Sequence, residues 1–376
     1  MPDHQLLILG ASARAACFSA RRSSYTPYWI DQYGDHDLTE NYPGECVSPD
    51  KYPAGILDLI SNSPDVPFLY TGAMENHVRV LQQLEGLRTL MGNTAEVCRS
   101  VRDPWSTSQC FVRADIVHPQ VSRAGTETLS TENDWLLKPL RSAGGLGITH
   151  YSESIDSEKE IHYLQEFIQG ESRAGVFLGD GRTACLLGVT RQLTGEAFLN
   201  AEEFAYCGSV GPLLLDKNEE EQWKNIGHAL VTDFGIKGLF GVDAIFRNGS
   251  IYPLEVNPRY TASVEVLELA LQIPVIAMHC DACIGILPST ELAKEKTMMG
   301  KAYLFAHQNI ISPENVQELY QRNGDMLLTA DIPQANTLIS QGHPLMTVLA
   351  QGKNQKDVIL LLKSRAKLLY SNFDVV

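Results

Sequence analysis

The stretch from Gly241 to Arg259 limits the fold of this chain more than any other. Two runs, Gly241-Val242-Asp243-Ala244-Ile245-Phe246 and Ile251-Tyr252-Pro253-Leu254-Glu255-Val256-Asn257-Pro258-Arg259, flank Arg247-Asn248-Gly249-Ser250. Asn-Gly between such runs is a strong hairpin signal, because both residues tolerate the left-handed backbone of a tight turn. Register then decides the chemistry. A two-residue loop sets Asp243 opposite Leu254 and turns its side chain away from Glu255. A three-residue loop, Asn248 to Ser250, sets Asp243 opposite Glu255, with Asn257 two residues further on the same face. We expect the odd loop, with Asp243, Glu255 and Asn257 converging on one spot. Two carboxylates and an amide oxygen there are costly unless a cation neutralises them, and hard oxygen ligands suit Mg²⁺ bridging phosphates, with Mn²⁺ able to substitute.

Composition indicates whose phosphates these are. Lys and Arg number 30 against 45 Asp and Glu, a net charge of −15, which disfavours a nucleic acid or an anionic membrane as partner. A small-molecule substrate is expected. The length of 376 residues suggests two to three domains. Eight cysteines are thinly scattered (Cys17, Cys46, Cys98, Cys110, Cys185, Cys207, Cys280, Cys283), unlike a disulfide-stapled secreted domain, and fit reduced thiols in a cytoplasm. Leu6 to Leu9 is too short for a secretory core, and Leu267 to Leu287 is interrupted by Glu268, Gln272, Pro274, His279 and Asp281. Neither reads as a targeting or membrane segment.

The chain opens as β-α-β: Leu6 to Gly10, a helical Ala11 to Arg22, then Tyr28 to Asp31. Gly10 with Asp31 imitates a dinucleotide site, but only the first glycine of G-x-G-x-x-G is present, so we expect a Rossmann-like structural unit without NAD. Glu75 to Leu90 has helical spacing, and the first domain is expected to end near Asp103-Pro104. Beyond it, Trp135 to Pro139 places Lys138 at the end of an apolar strand, directly before Leu140-Arg141-Ser142-Ala143-Gly144-Gly145-Leu146-Gly147. Glycines let backbone N–H groups converge on anionic oxygens, and the lysine supplies a fixed charge. No Walker-type sequence occurs. Arg191, on a strand facing this region, is a candidate for a substrate carboxylate. Cys280 and Cys283 form a lone C-x-x-C expected to be buried thiols, and His343 is expected in a turn.

Lys138-Pro139 with its glycine-rich loop, Gln165-Glu166-Phe167-Ile168-Gln169-Gly170, and Asp243 followed by Glu255-Val256-Asn257-Pro258-Arg259 resemble the ATP-grasp carboxylate ligases in order and spacing. The likeness covers roughly residues 100 to 290, and the tail is similar to a group of predicted ligases related to biotin carboxylase. It implies an α/β (α+β ATP-grasp) fold: a Rossmann-like domain at 1–104, the ATP-grasp module at 105–290 and a small C-terminal α/β segment at 291–376 packing on it. It further implies ATP as co-substrate. Lys138 would contact its α- and β-phosphates beneath Ser142, Gly144, Gly145 and Gly147, while Gln165, Glu166 and Ile168 form the adenine hinge and Glu171 or Ser172 reaches the ribose. Asp243, Glu255 and Asn257 would hold Mg²⁺, and Arg259 would stabilise the transferring phosphoryl group. The family's usual entry lysine is missing, and Arg102 is the preferred replacement. The implied reaction is ATP-dependent joining of a small-molecule carboxylate to an amine through an acyl phosphate, in a cytoplasmic protein for which a homodimer is the base-rate guess. The rivals are a bicarbonate-activating carboxylase, an NAD-dependent dehydrogenase and a non-catalytic nucleotide-binding protein.

Overall fold

The computed structural model describes residues 4–124, 133–152, 161–289, 297–324 and 326–375. Leu6, Leu7, Ile8 and Leu9 are all buried, as a strand covered on both faces must be. They form β1 (His4–Gly10), which lies between β2 (Tyr25–Asp31) and β4 (Phe68–Tyr70), with β3 (Gly44–Cys46) outside β2, every pair parallel. The helix α1 (Arg14–Arg22) makes the crossover, so the β-α-β opening is present. Short helices α2 (His36–Thr39) and α3 (Ile56–Leu59) follow. The helix expected from Glu75 to Leu90 is shorter: a 3-10 turn, Met74–Asn76, precedes α4 (Val78–Glu85), which ends at Gly86. Then come α5 (Ala95–Val101) and α6 (Pro104–Arg113), capped by the side chains of Thr94 and Asp103.

A four-stranded antiparallel sheet stands over the rest, in the order β5 (Val121–Arg123), β8 (His162–Glu166), β6 (Trp135–Pro139), β7 (Thr149–His150). Beneath it lies an eight-stranded sheet whose first six strands run β13 (Ser250–Asn257), β12 (Lys237–Arg247), β9 (Glu171–Asp180), β10 (Ala184–Thr194), β11 (Tyr206–Gly211), β14 (Met298–Phe305). The helix α7 (Lys217–Phe234) opens with a capping box between Asp216 and Glu219. It drives the fully buried Trp223 against Phe177, which stacks on Phe240 with ring centroids 5.0 Å apart.

The C-terminal segment expected to pack on the preceding module shares its sheet. β14 pairs with β11, and the strands Pro344–Gly352 and Thr329–Ala330 extend the same sheet, with α10 (Gln355–Tyr370) against them. The expected boundary at residue 290 lies outside the described residues. Among those described, no single helix is long and apolar enough to cross a membrane; α8 (Ala262–Leu271) and α9 (Val275–Cys283) are apolar together but bent by 115° and largely buried. All eight cysteines are free.

Candidate active site

The hairpin reaches the expected face by an unexpected route. Arg247 pairs with Ser250, so the loop is the two residues Asn248 and Gly249, at φ 52° and 81°; the odd loop is wrong. Ala244 pairs with Pro253, but Asp243 pairs with Glu255. Leu254 is therefore an extra residue, a β-bulge that restores the register a two-residue loop would lose. Pro253 explains its position: proline has no N–H for the ladder, so the break there sacrifices little. Asn257 shares the face, its Nδ2 donating to Asp243 Oδ2 at 3.0 Å.

Asp243, Glu255 and Asn257 line a cleft of about 530 Å³ between the two antiparallel sheets, together with Lys138, Gly144, Gly145, Gln165, Glu166, Ile168, Glu171, Arg191 and Arg259. Burial raises Asp243 to about 6, with the neighbouring Glu255 charge adding to the effect and Arg259 opposing it. Glu255 is also pushed up by burial, but Arg102 and Lys138 outweigh that and hold it below the ordinary carboxylate range. Among the described residues no three His, Cys, Asp or Glu side chains gather as a metal site. The facing carboxylates and the amide nevertheless fit a hard cation whose remaining ligands are phosphate oxygens.

The cations surround this pair. Lys138 is buried, and its Nζ donates to Gln165 Oε1 at 3.0 Å. Burial disfavours its charge, yet Tyr163 and Glu255 outweigh this and raise its pKa. Arg102, at the end of α5, does reach the site: Nη1 donates to Glu255 Oε1 and to Asn257 Oδ1, and Nη2 to Asn76 Oδ1 and to the Ser142 carbonyl. The planar guanidinium makes four bonds where an ammonium has three protons. Arg259 donates from Nε to Glu75 Oε1 at 2.8 Å and from Nη2 to Asn257 at 3.3 Å.

The glycine-rich loop joins β6 to β7 and lies over the cleft. Gly144, Gly145 and Gly147 all have left-handed backbones, and a Cβ on Gly145 would fall 2.0 Å from the Phe204 carbonyl. The loop is held from two sides, by Tyr206 N–H to the Gly144 carbonyl at 2.9 Å and by Asn76 and Arg102 on the Ser142 carbonyl. Gly144 and Gly145 line the cleft; Ser142 and Gly147 do not. In the hinge, the N–H groups of Glu166 and Phe167 are taken by the carbonyls of Gln120 and Asp134. The Gln165 side chain bridges Lys138 and the Leu254 carbonyl. Glu171 accepts from Arg173 Nε at 2.7 Å and lies 4.0 Å from Arg191 Nε. Ser172 donates to Gln192, which donates to Asp243.

Sequence reasoning missed Glu75, Asn76 and Gln192. The first two had a signal: they follow Thr71-Gly72 at the carboxyl end of a parallel strand, where open α/β sheets gather their functional loops. Gln192 is on the same strand face as Thr190. The dinucleotide rival loses its acid, because Asp31 is fully buried and accepts from the N–H groups of Ala13, Tyr33 and Gly34. A Cβ at Gly10 would fall 2.0 Å from Thr71 Oγ1, so that turn is already filled. His343 follows Gly342 in a turn closed on Ser340, and Cys280 is buried with Cys283 partly so.

A nucleotide-sized cleft between two antiparallel sheets, with a glycine-rich flap and a carboxylate pair on its floor, defines a class. Residues 101–263 match the family model of the ATP-grasp domain. An uncharacterized protein of Methanocaldococcus jannaschii is 22% identical over 377 residues, spanning 94% of this chain and 89% of the other. Biotin carboxylase from Campylobacter jejuni, solved as a β,γ-ATP complex, superposes with a TM-score of 0.74 at 15% identity, covering 98% of this chain and 92% of that one. An L-amino acid ligase from Bacillus licheniformis does so with a TM-score of 0.69 at 14% identity, covering 100% and 98%.

Proposed function

We propose that this protein is an ATP- and Mg²⁺-dependent ligase that activates a small-molecule carboxylate as an acyl phosphate for capture by an amine, releasing ADP and phosphate. The observation that carries the reading is one cleft lined by Lys138, Arg259, the Asp243–Glu255 pair and the glycine loop, with Arg102 bonded to Glu255. In this reading the Glu166 carbonyl and the Ile168 N–H hold the adenine, since the Glu166 N–H is spent, and Glu171 or Ser172 meets the ribose. Lys138 and Arg102 bind the α- and β-phosphates. Asp243, Glu255 and Asn257 would hold Mg²⁺, which would supply positive charge to offset that of the phosphates. Arg259 stabilises charge on the transferring phosphoryl group, the loop from Ser142 to Gly147 excludes water, and Arg191 meets the substrate carboxylate. Fold likeness does not rank amine over bicarbonate chemistry, since biotin carboxylase superposes with a TM-score of 0.74 and the amino acid ligase with 0.69.

The test is product analysis with ATP, Mg²⁺ and pooled small acids and amino acids. ADP release should require an organic carboxylate, and hydroxylamine should trap the activated acyl group as a hydroxamate. AMP and pyrophosphate would mean adenylation and defeat the assignment of Arg259; ADP release driven by bicarbonate alone would favour the carboxylase.

A further inference from the structure

The 3-10 turn Met74–Asn76, at the carboxyl end of the N-terminal sheet, reaches the guanidiniums of Arg102 and Arg259. Glu75 is 2% exposed. Its Oε1 takes both Arg259 Nε and Arg259 Nη2, at 2.8 and 2.7 Å, while Oε2 is buried with no partner among the described residues. The next residue, Asn76, accepts from Arg102 Nη2 at 3.1 Å. Arg102 Nε is likewise buried and without a partner among the described residues. An unsatisfied anionic acceptor and an unsatisfied cationic donor thus lie on neighbouring partners, and each is costly to leave so. Meanwhile Arg102 Nη1 occupies Glu255 Oε1, one of the two oxygens that this carboxylate offers a divalent cation. Guanidinium and cation repel if both stay there.

We propose that Glu75 is the positioning residue for both arginines: Oε1 aims Arg259 into the cleft, and Oε2 receives Arg102 when a divalent cation takes Glu255. This rests on the ATP reading above. The N-terminal domain then completes the phosphate site, and cation and nucleotide binding are coupled through one buried carboxylate.

The experiment is calorimetric binding of the β,γ-imido analogue of ATP to the full chain, without and with Mg²⁺. In Glu75→Gln the affinity should fall further with Mg²⁺ than without it, so that the gain conferred by Mg²⁺ shrinks about tenfold or more. Glu75→Asp, which keeps the charge, should recover part of that gain. Asn76→Ala removes the other anchor of Arg102 on this turn and serves where Glu75→Gln does not fold; a reduced Mg²⁺ gain is expected there as well. An equal loss with and without Mg²⁺ would make Glu75 a merely structural ion-pair partner and overturn the proposal, as would an unchanged Mg²⁺ gain. Wild-type protein that ignores the analogue altogether would instead overturn the ATP reading, and this inference with it.

Discussion

His279 shows what one buried ring contributes. Its Nδ1 accepts from the Leu239 N–H at 2.8 Å, which leaves Nε2–H to donate to the Met91 carbonyl at 2.9 Å, so the neutral ring ties α9, β12 and the stretch between α4 and α5 together. Burial lowers its pKa to about 4, against about 6.5 in an unfolded chain. Below pH 6.5 the unfolded state takes up a proton that the native state refuses, so stability falls as pH drops from 6.5 to about 4, by about 2 kcal/mol between pH 7 and 5. Asp31 and Asp37, raised to about 6 chiefly by burial, act in the opposite sense, since their native forms take up the proton first. The comparison must therefore be with His279→Gln, which keeps one acceptor and one donor. Denaturant unfolding at pH 7 and 5 should show the variant losing about 2 kcal/mol less than wild type; parallel losses would mean that the ring is not held neutral. None of this is readable from Met278-His279-Cys280, because the partners lie 40 and 188 positions away in the chain. Lys138 and Arg259 were legible for the contrary reason: each stands beside its own local signal, a glycine loop or an acidic strand. Glu75 had only a weak one.

At the scale of elements, the hairpin separates what a pattern can tell from what it cannot. The alternation fixed two strands and a turn, and the chemistry demanded Asp243 opposite Glu255. An odd loop was one way to satisfy that demand. The chain uses another, because Asn248 and Gly249 both favour left-handed backbone and Pro253 makes a bulge at Leu254 cheap. A bulge leaves almost no mark in sequence apart from such a proline, whereas a turn has its own composition. Asn248 gives the distinguishing measurement. In the observed turn it sits at φ 52°, so Asn248→Ala should cost about 1 kcal/mol in denaturant unfolding and Asn248→Gly close to nothing. Because the bulge, not the turn residue, sets the register at Asp243, binding of nucleotide and Mg²⁺ should be unchanged in both. Indifference of stability to alanine would instead fit a three-residue loop with Asn248 right-handed.

For the whole molecule, the decisive feature is a buried charge cluster that joins regions far apart in sequence. Arg14 of α1 is fully buried; it pairs through both nitrogens of its fork with Glu265 of α8 and donates to Asp331 at 2.8 and 3.0 Å. Lys301 of β14 donates to Glu265 at 2.8 Å, and Asp37 of α2 accepts from the N–H groups of Asp331 and Ile332. The N-terminal sheet, the helix whose first turn lines the cleft and the C-terminal strands are therefore tied at one point. The resemblance implies three parts by motif; it could not indicate that the C-terminal strands extend the sheet of the second part or that the first part packs into the same core, since Arg14 and Asp331 carry no local signature. Burying such a network gains little over an apolar core, but removing one partner strands the others at a cost of about 3 to 5 kcal/mol. Arg14→Leu leaves Glu265 with Lys301 and Asp331 with the Thr347 hydroxyl, so the melting midpoint should fall by about 5 °C. Arg14→Lys should recover little, because an ammonium cannot reproduce the fork. The loss should propagate to the cleft, since Glu265 is the fourth residue of the helix that begins at Ala262 beside Thr261 and Ser263. Nucleotide should then raise the midpoint of Arg14→Leu less than that of wild type at equal concentration, as binding stabilises only the state that holds the cleft together. An undiminished nucleotide shift on a lowered baseline would show that the cluster holds the regions together without shaping the site.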